Sequence, residues 1–211
     1  ASVNGDVINI AAGTYNEANL NPEGKAITIQ GTLNSNGSLL TTIDAQQGGS
    51  VFVINSGEGS ETEIKNLMVT GGTGTDLIEF KGTLGGAIYC SNESNPTING
   101  CTIWGNTAEY GGGIVCWISD PTIQDCKFVD NAVHYYGGGI LCYNSNIVIS
   151  GCTITGNTAS DSGGGIFCDN NSNPTITDCT ISGNTASDNG GGILCDNNSN
   201  LTISNCTISD N

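Results

Sequence analysis

The sequence predicts an all-β fold: one solenoid of short parallel strands, about eight coils over residues 1–211. Three observations carry this. A phrase of the form Gly-Gly-Gly-Ile-x-Cys returns at near-constant spacing. The apolar runs between turns are short, β-branched and alternating. No stretch sustains the 3.6-residue apolar period of a helix.

Residues 1–84 are the less regular part. "DVINIA", "AITIQG", "TTIDA", "SVFVIN" and "TEIKNLMVTGG" are short strand phrases separated by glycine or polar turns. Residues 85–211 repeat with a period of about 26. "GGAIYC", "GGGIVC", "GGGILC", "GGGIFC" and "GGGILC" place Cys90, Cys116, Cys142, Cys168 and Cys195 at intervals of 26, 26, 26 and 27. A second phrase, typified by "SGCTITGN", places Cys101, Cys126, Cys152, Cys179 and Cys206 at intervals of 25, 26, 27 and 27. Two or three short strands in 26 residues make one solenoid coil, and stacked coils bury a core that no single coil could bury. At roughly 4.8 Å per coil, the rod is on the order of 40 Å long.

The chain carries a formal net charge of −16, with four lysines (Lys25, Lys65, Lys81, Lys127) and no arginine. It therefore lacks the basic footprint of a nucleic-acid-binding or anionic-membrane-binding protein. No apolar run approaches the 18 or so residues of a membrane span. The opening "ASVNGDVINIA" has neither the basic nor the apolar region of a secretory leader, and Ala1 suits a mature N-terminus. The polar, Asn/Thr/Ser/Gly-rich composition suits an extracellular or cell-surface protein.

"GDVINIAAGTYNE", "KAITIQGT", "TTIDA" and the repeated "GGGIxC…PTIxxCTIxGN" together resemble the right-handed parallel β-helix of the pectate-lyase-like superfamily. The Gly-Gly-Gly-Ile repeats are similar to those of bacterial secreted and surface proteins, in the style of polymorphic outer-membrane proteins. The resemblance covers nearly the whole chain and implies a right-handed coil. It implies little about activity, because the superfamily spans lyases, hydrolases, adhesins and structural rods.

In a solenoid, equivalent positions stack into columns. Asn106, Asn131, Asn157, Asn184 and Asn211 form one, suited to amide hydrogen bonds from coil to coil. The ten cysteines form two more. Ile and Cys share parity in "GGGIxC", so both point inward. The thiols then act as small core hydrophobes, or each coil bridges its own pair, such as Cys168 with Cys179. No CxxC is present and His134 is the sole histidine, so a metal site has little support.

The middle residues Tyr89, Val115, Leu141, Phe167 and Leu194 point outward on this parity and would form an exposed apolar stripe, unless a loop covers it. Aromatic residues concentrate in two coils: Trp104, Tyr110, Trp117, Tyr135, Tyr136 and Tyr143. Later coils carry Thr155, Ser162, Asp169, Ser182, Asn189 and Asp196 at matching sites. Such rings suit lateral packing on another chain or stacking on a polysaccharide.

Catalysis finds little support. The related lyases need a basic residue, yet only Lys127 lies in the regular repeats, within the Thr column of Thr102, Thr153, Thr180 and Thr207. Asp161 and Asp188 stack, as do Asp169 and Asp196, but in polar turns where solvated carboxylates are expected. No cofactor is predicted; those turns leave calcium as the one cation with any case. The column of Thr97, Thr122, Thr175 and Thr202 is interrupted by Val148, which weakens an ice-ordering face.

The terminal phrases suggest self-association. "CTISDN" at the end can be continued by "ASVNGDVINI" at the start, so that Ala1, Ser2, Asn4, Gly5 and Ile8 match Ala186, Ser187, Asn189, Gly190 and Ile193. The expectation is a head-to-tail homopolymer with a seam between Cys206, Ile208 and Asn211 of one copy and residues Ala1 to Ile10 of the next. The predicted function is a non-enzymatic extracellular structural or surface protein assembling into a fibre. The alternatives are a polysaccharide-binding or polysaccharide-cleaving β-helix and an adhesin fragment of a longer surface protein.

Overall fold

The computed structural model describes residues 2–77 and 82–211. It is a right-handed parallel β-solenoid of about 7 turns, one fewer than length over period suggests. Eight parallel strands line one face, from Val7–Ile10 through Thr28–Gly31, Glu63–Lys65 and Thr97–Asn99 to Thr202–Ser204. Eight more line the next, from Gly13–Asn16 through Thr102–Trp104 to Thr207–Ser209. Six strands form the third, Phe52–Ile54 and the five of the Gly-Gly-Gly-Ile phrase that end at Ile193–Cys195. Short strands such as Thr107–Ala108 and Ala132–Val133 join the second face to the third. Eight strands on one face enclose seven turns between the first and the last, which accounts for the difference.

The irregular N-terminal part winds in the same sense but carries two excursions. One is a loop closed by an antiparallel bridge between Leu33 and Leu39. The other is an antiparallel hairpin of Thr75–Leu77 and Gly82–Leu84 beside the third face.

The core is a set of unbroken apolar columns. Ile29, Ile64, Ile98, Ile123, Ile149 and Ile176 stack on the first face, and Ile103, Phe128, Ile154 and Ile181 on the second. Ile88, Ile114, Ile140 and Ile166 stack on the third, each followed by an inward cysteine. All are buried, so the shared parity of Ile and Cys holds. The cysteines are unbridged: eight are buried, and Cys195 and Cys206 are half-buried.

In the regular repeats each coil turns three corners with the same local device. One or two residues in the left-handed backbone region make the bend, and the Cys, Asn or Ser side chain just after them plugs the corner from inside. The bends between the first and second faces use Asn66, Gly100, Asp125, Gly151, Asp178 and Asn205, with φ between 51° and 62°. Gly, Asn and Asp tolerate this region far better than branched residues. The plugs there are Cys126, Cys152, Cys179 and Cys206. The backbone N–H of each of the first three donates to the sulfur of the next, at 3.3–3.4 Å.

The asparagine column plugs the second corner in the same way. The N–H and Nδ2 of Asn131 both donate to Asn157 Oδ1, at 3.0 and 2.9 Å, and Asn157 donates likewise to Asn184. A serine column, not evident from the repeat phrases, plugs the third. Ser119 N donates to Ser145 Oγ, Ser145 N to Ser172 Oγ, and Ser172 N to Ser199 Oγ, at 3.0–3.1 Å. The column starts at Ser94, which pairs with Glu58, a carboxylate buried in the same corner. Burial alone would raise the Glu58 carboxyl. Hydrogen bonds from Gly24 N, Ser56 N and Ser94 Oγ outweigh it and hold the group below its ordinary value.

One bend departs from this rule. The third corner uses Asn92, Asn144, Asn170 and Asn197, but its second member is Ile118, at φ 51° and exposed. A β-branched residue there costs about 1–2 kcal/mol that Asn largely avoids. Ile118→Asn is expected to stabilise the protein by ~1 kcal/mol, measured as a higher urea midpoint at unchanged m-value.

The register sets aside the residue-by-residue match from which the seam was drawn. Ile8 pairs with Ile29 on the first face, in the column that ends at Ile203. Ile193 belongs to the third face, paired with Ile166. Matching Ile8 to Ile193 therefore sets it one face out of place. The Ala-Ser-x-Asn-Gly match reflects shared turn composition, not shared position on the coil. Asn4 and Gly5 instead bind the following coil, through Ala26 N to Asn4 Oδ1 and Gly5 N to Ala26 O. Ala1 lies outside the described residues.

Candidate functional site

The outward row of the third face is buried, contrary to the exposed stripe that parity alone suggests. Tyr89, Val115, Leu141 and Phe167 are all buried, and Leu194 is half-buried. The cover comes from side chains rather than from a separate domain. Tyr110 and Tyr136 rise from the turns before the triple glycine on one side, Trp117 and Tyr143 from the strand ends on the other, and Leu77 and Leu84 of the hairpin close in.

These rings do not seal the row. Between the two walls lies a cleft of about 190 Å³, lined by Leu84, Tyr110, Trp117, Tyr136, Leu141, Tyr143, Phe167 and Asp169. Strand pairing builds one wall and ring stacking the other. Trp117 and Tyr143 are register partners on neighbouring strands, and their rings stack at 3.9 Å between centroids, 8° from parallel. Tyr136 stacks on Phe167 at 4.8 Å and 16°, and Tyr110 on Tyr135 at 4.9 Å and 22°. Such offset pairs contribute about 0.5–1.5 kcal/mol each beyond area burial.

Both walls change character at the same level of the rod. The position after Trp117 and Tyr143 in register is Asp169. The position after Tyr136 in its column is Ser162, beside Asp161. Burial, followed by hydrogen bonding to Asp161 and the charges of Asp161 and Asp169, pushes the Tyr136 hydroxyl above its ordinary pKa. Burial, followed by Tyr135 and the carboxylates of Glu109 and Asp161, does the same to Tyr110. The described lysines are elsewhere: Lys25 and Lys65 pair with Glu23 and Glu63, and Lys127 stands in its Thr column on the second face.

Not all the sequence-selected aromatics join this cleft. Trp104 is exposed on the second face, and Tyr135, also exposed, meets His134 edge-on at 4.7 Å outside the lining. Asp169 lines it without belonging to the ring pattern, although it was visible as a departure from the repeat at the position of Trp117 and Tyr143. Among the described residues, no three His, Cys, Asp or Glu side chains converge to hold a metal ion.

The thiols lie in a different setting. Burial, followed by the Glu58 carboxylate, pushes Cys90 far up. Hydrogen bonding with Cys126, together with burial, pushes Cys152 up to about 12. A thiol held protonated is a poor nucleophile. In native protein at pH 8, a thiol reagent is expected to label half-buried Cys206 ahead of the other nine, because the hydrogen bond with Cys168 and burial hold Cys195 protonated, and all ten cysteines after unfolding without reductant. Fewer than ten in the unfolded chain would reinstate the disulfide pairing.

No curated protein and no solved structure matches the chain. A family model described as a right handed beta helix region matches residues 18–160 and again 130–211, and with the observed winding this places the chain in the right-handed β-helix family.

Proposed function

We propose that the protein is a non-catalytic extracellular β-helical rod whose working surface is the aromatic cleft beside the third face. One observation carries this reading. Coils containing Phe167 and Leu194 adopt the same backbone with Ser162, Asn189, Asp169 and Asp196 at the positions where Tyr110, Tyr136, Trp117 and Tyr143 stand two coils earlier. The fold therefore does not require those rings. Their concentration at one level, around an open cleft, is what recognition of a ligand requires. The inward, protonated thiols are compatible with an oxidising exterior, since the buried members are shielded from it.

The test is retention on a panel of immobilised polysaccharides and peptides, with product analysis in parallel. Retention lost in Trp117→Ala, without new reducing ends or unsaturated-product absorbance, is the expected result. Turnover of a polysaccharide would sink the non-catalytic reading, and retention unchanged in Trp117→Ala would sink the cleft.

Stacking of copies into a fibre is a second reading, favoured by one observation. Ile8 and Ile203 belong to a single inward column that runs along the first face in constant register, a spacing on which a coil of a second copy could stack. Negative-stain micrographs showing fibres with an axial repeat of about 40 Å are expected on this reading. Only short, monodisperse rods would exclude it.

A further inference from the structure

We infer that the cleft takes a cationic side chain, the ammonium or guanidinium of a lysine or arginine in a basic peptide. This rests on the cleft being the binding surface and names the chemistry that surface selects.

Three observations converge on this class. The first is ring orientation. Within the Trp117–Tyr143 and Tyr136–Phe167 pairs, the rings turn their faces on each other. A sugar chain lying along the cleft would meet ring edges, and the stack of Trp117 on Tyr143 leaves a ring face only at its end, a place for a single compact group. The second is the chemistry at the end of the stacks. Above Tyr143 the register places Asp169, and beside Tyr136 stands Asp161. A cation at that level gains the ring of Tyr143 and the Asp169 carboxylate of the cleft lining together, with the charge of Asp161 beyond Tyr136. The third is the charge of the wall: Asp169 is the charged side chain among the described lining residues, in a chain of formal net charge −16. The cleft volume of about 190 Å³ is on the order of six water molecules, room for one long side chain.

The carboxylates are also positioned rather than loose. Asp169 Oδ1 accepts from Asn170 N at 2.8 Å and from Asn197 Nδ2 at 2.6 Å. Asp161 Oδ1 accepts from Ser162 Oγ at 3.0 Å, and its carboxylate also accepts from the Tyr136 hydroxyl. The bonds to Asp169 fix it in the cleft wall and leave its remaining lone pairs for a ligand.

The experiment uses the full chain with Trp104→Phe, which leaves Trp117 as the one tryptophan. Its fluorescence is followed in about 0.3 M NaCl while three probes are added: a tri-lysine peptide, the same peptide with acetylated side chains, and a neutral oligosaccharide. The salt suppresses long-range attraction to the acidic surface. The expected result is a saturable change with tri-lysine alone, weakened at least ten-fold by Asp169→Asn. Asp125→Asn removes the same charge at a distant corner and is expected to change the affinity less than two-fold. Thermal melts of each variant confirm that it is folded. Equal binding of the acetylated peptide, or equal weakening by Asp125→Asn, overturns the inference. Saturable binding of the oligosaccharide alone, abolished by Tyr143→Ala, also overturns it but keeps the cleft as the binding surface. No response to any probe counts against both.

Discussion

Asn157→Ala is expected to destabilise the protein by about 4 kcal/mol, read as a fall in urea midpoint. The side chain is fully buried and connects three coils. Its Oδ1 accepts two donors from Asn131, and its Nδ2 donates to Phe128 O at 3.0 Å, Thr155 O at 3.2 Å and Asn184 Oδ1 at 2.9 Å. Truncation leaves the Asn131 N–H buried with no acceptor and removes a donor from the Phe128 carbonyl. An orphaned buried group costs about 1–3 kcal/mol, and the emptied corner adds to it. The outward neighbour Thr155 is the control: Thr155→Ala should stay within about 0.5 kcal/mol. Similar losses for the two variants would show that the asparagine column is not a structural plug.

Gly138→Ala should be at least as damaging, costing ~3 kcal/mol or more. The middle glycine of each triplet lies where successive coils approach backbone to backbone. A Cβ on Gly138 would stand 2.3 Å from Gly164 O and 2.8 Å from both Thr158 N and O. None of these is a flexible side-chain end, so the coils must separate. Separation breaks the ladder in which Gly138 N donates to Gly163 O and Gly139 N to Gly164 O. Overpacking alone typically costs about 1–3 kcal/mol, and the lost ladder bonds add to it. Gly59 is the contrast, with nothing within 4 Å of its added Cβ and no positive φ. Gly59→Ala is expected to stabilise by ~0.5 kcal/mol through the unfolded chain. Equal effects at Gly138 and Gly59 in thermal melts would refute the close-approach account.

The columns differ in how plainly the sequence announces them. Those of Ile and Cys were legible because a period of about 26 fixes the stacking and alternation fixes the facing. The asparagine column was legible by the same route. The serine plugs have the same spacing, from Ser94 to Ser199, yet serine is so common in these turns that its column does not stand out. The burial of Val115, Leu141 and Phe167 was not legible. Parity says only that they point away from the core, and their cover comes from rings flanking the sheet on both sides. The match between the terminal phrases misled for a related reason: turn residues recur at every corner, so a match among Ala, Ser, Asn and Gly does not identify which corner is meant. Tyr143 and Asp169 stood out as departures from the repeat, but that they line one cleft required the register.

The three plug columns all run one way, each corner N–H donating to the side chain of the next coil. A coil is therefore a self-contained unit of length with one donor end and one acceptor end at every corner. Removing residues 158–184 would join Asn157 to Thr185 and restore "GNTAS", the phrase already present at both points. All three columns would close over the gap in register. A gene built this way can lengthen or shorten its product by unequal recombination between repeats, a whole coil at a time, without designing a new junction.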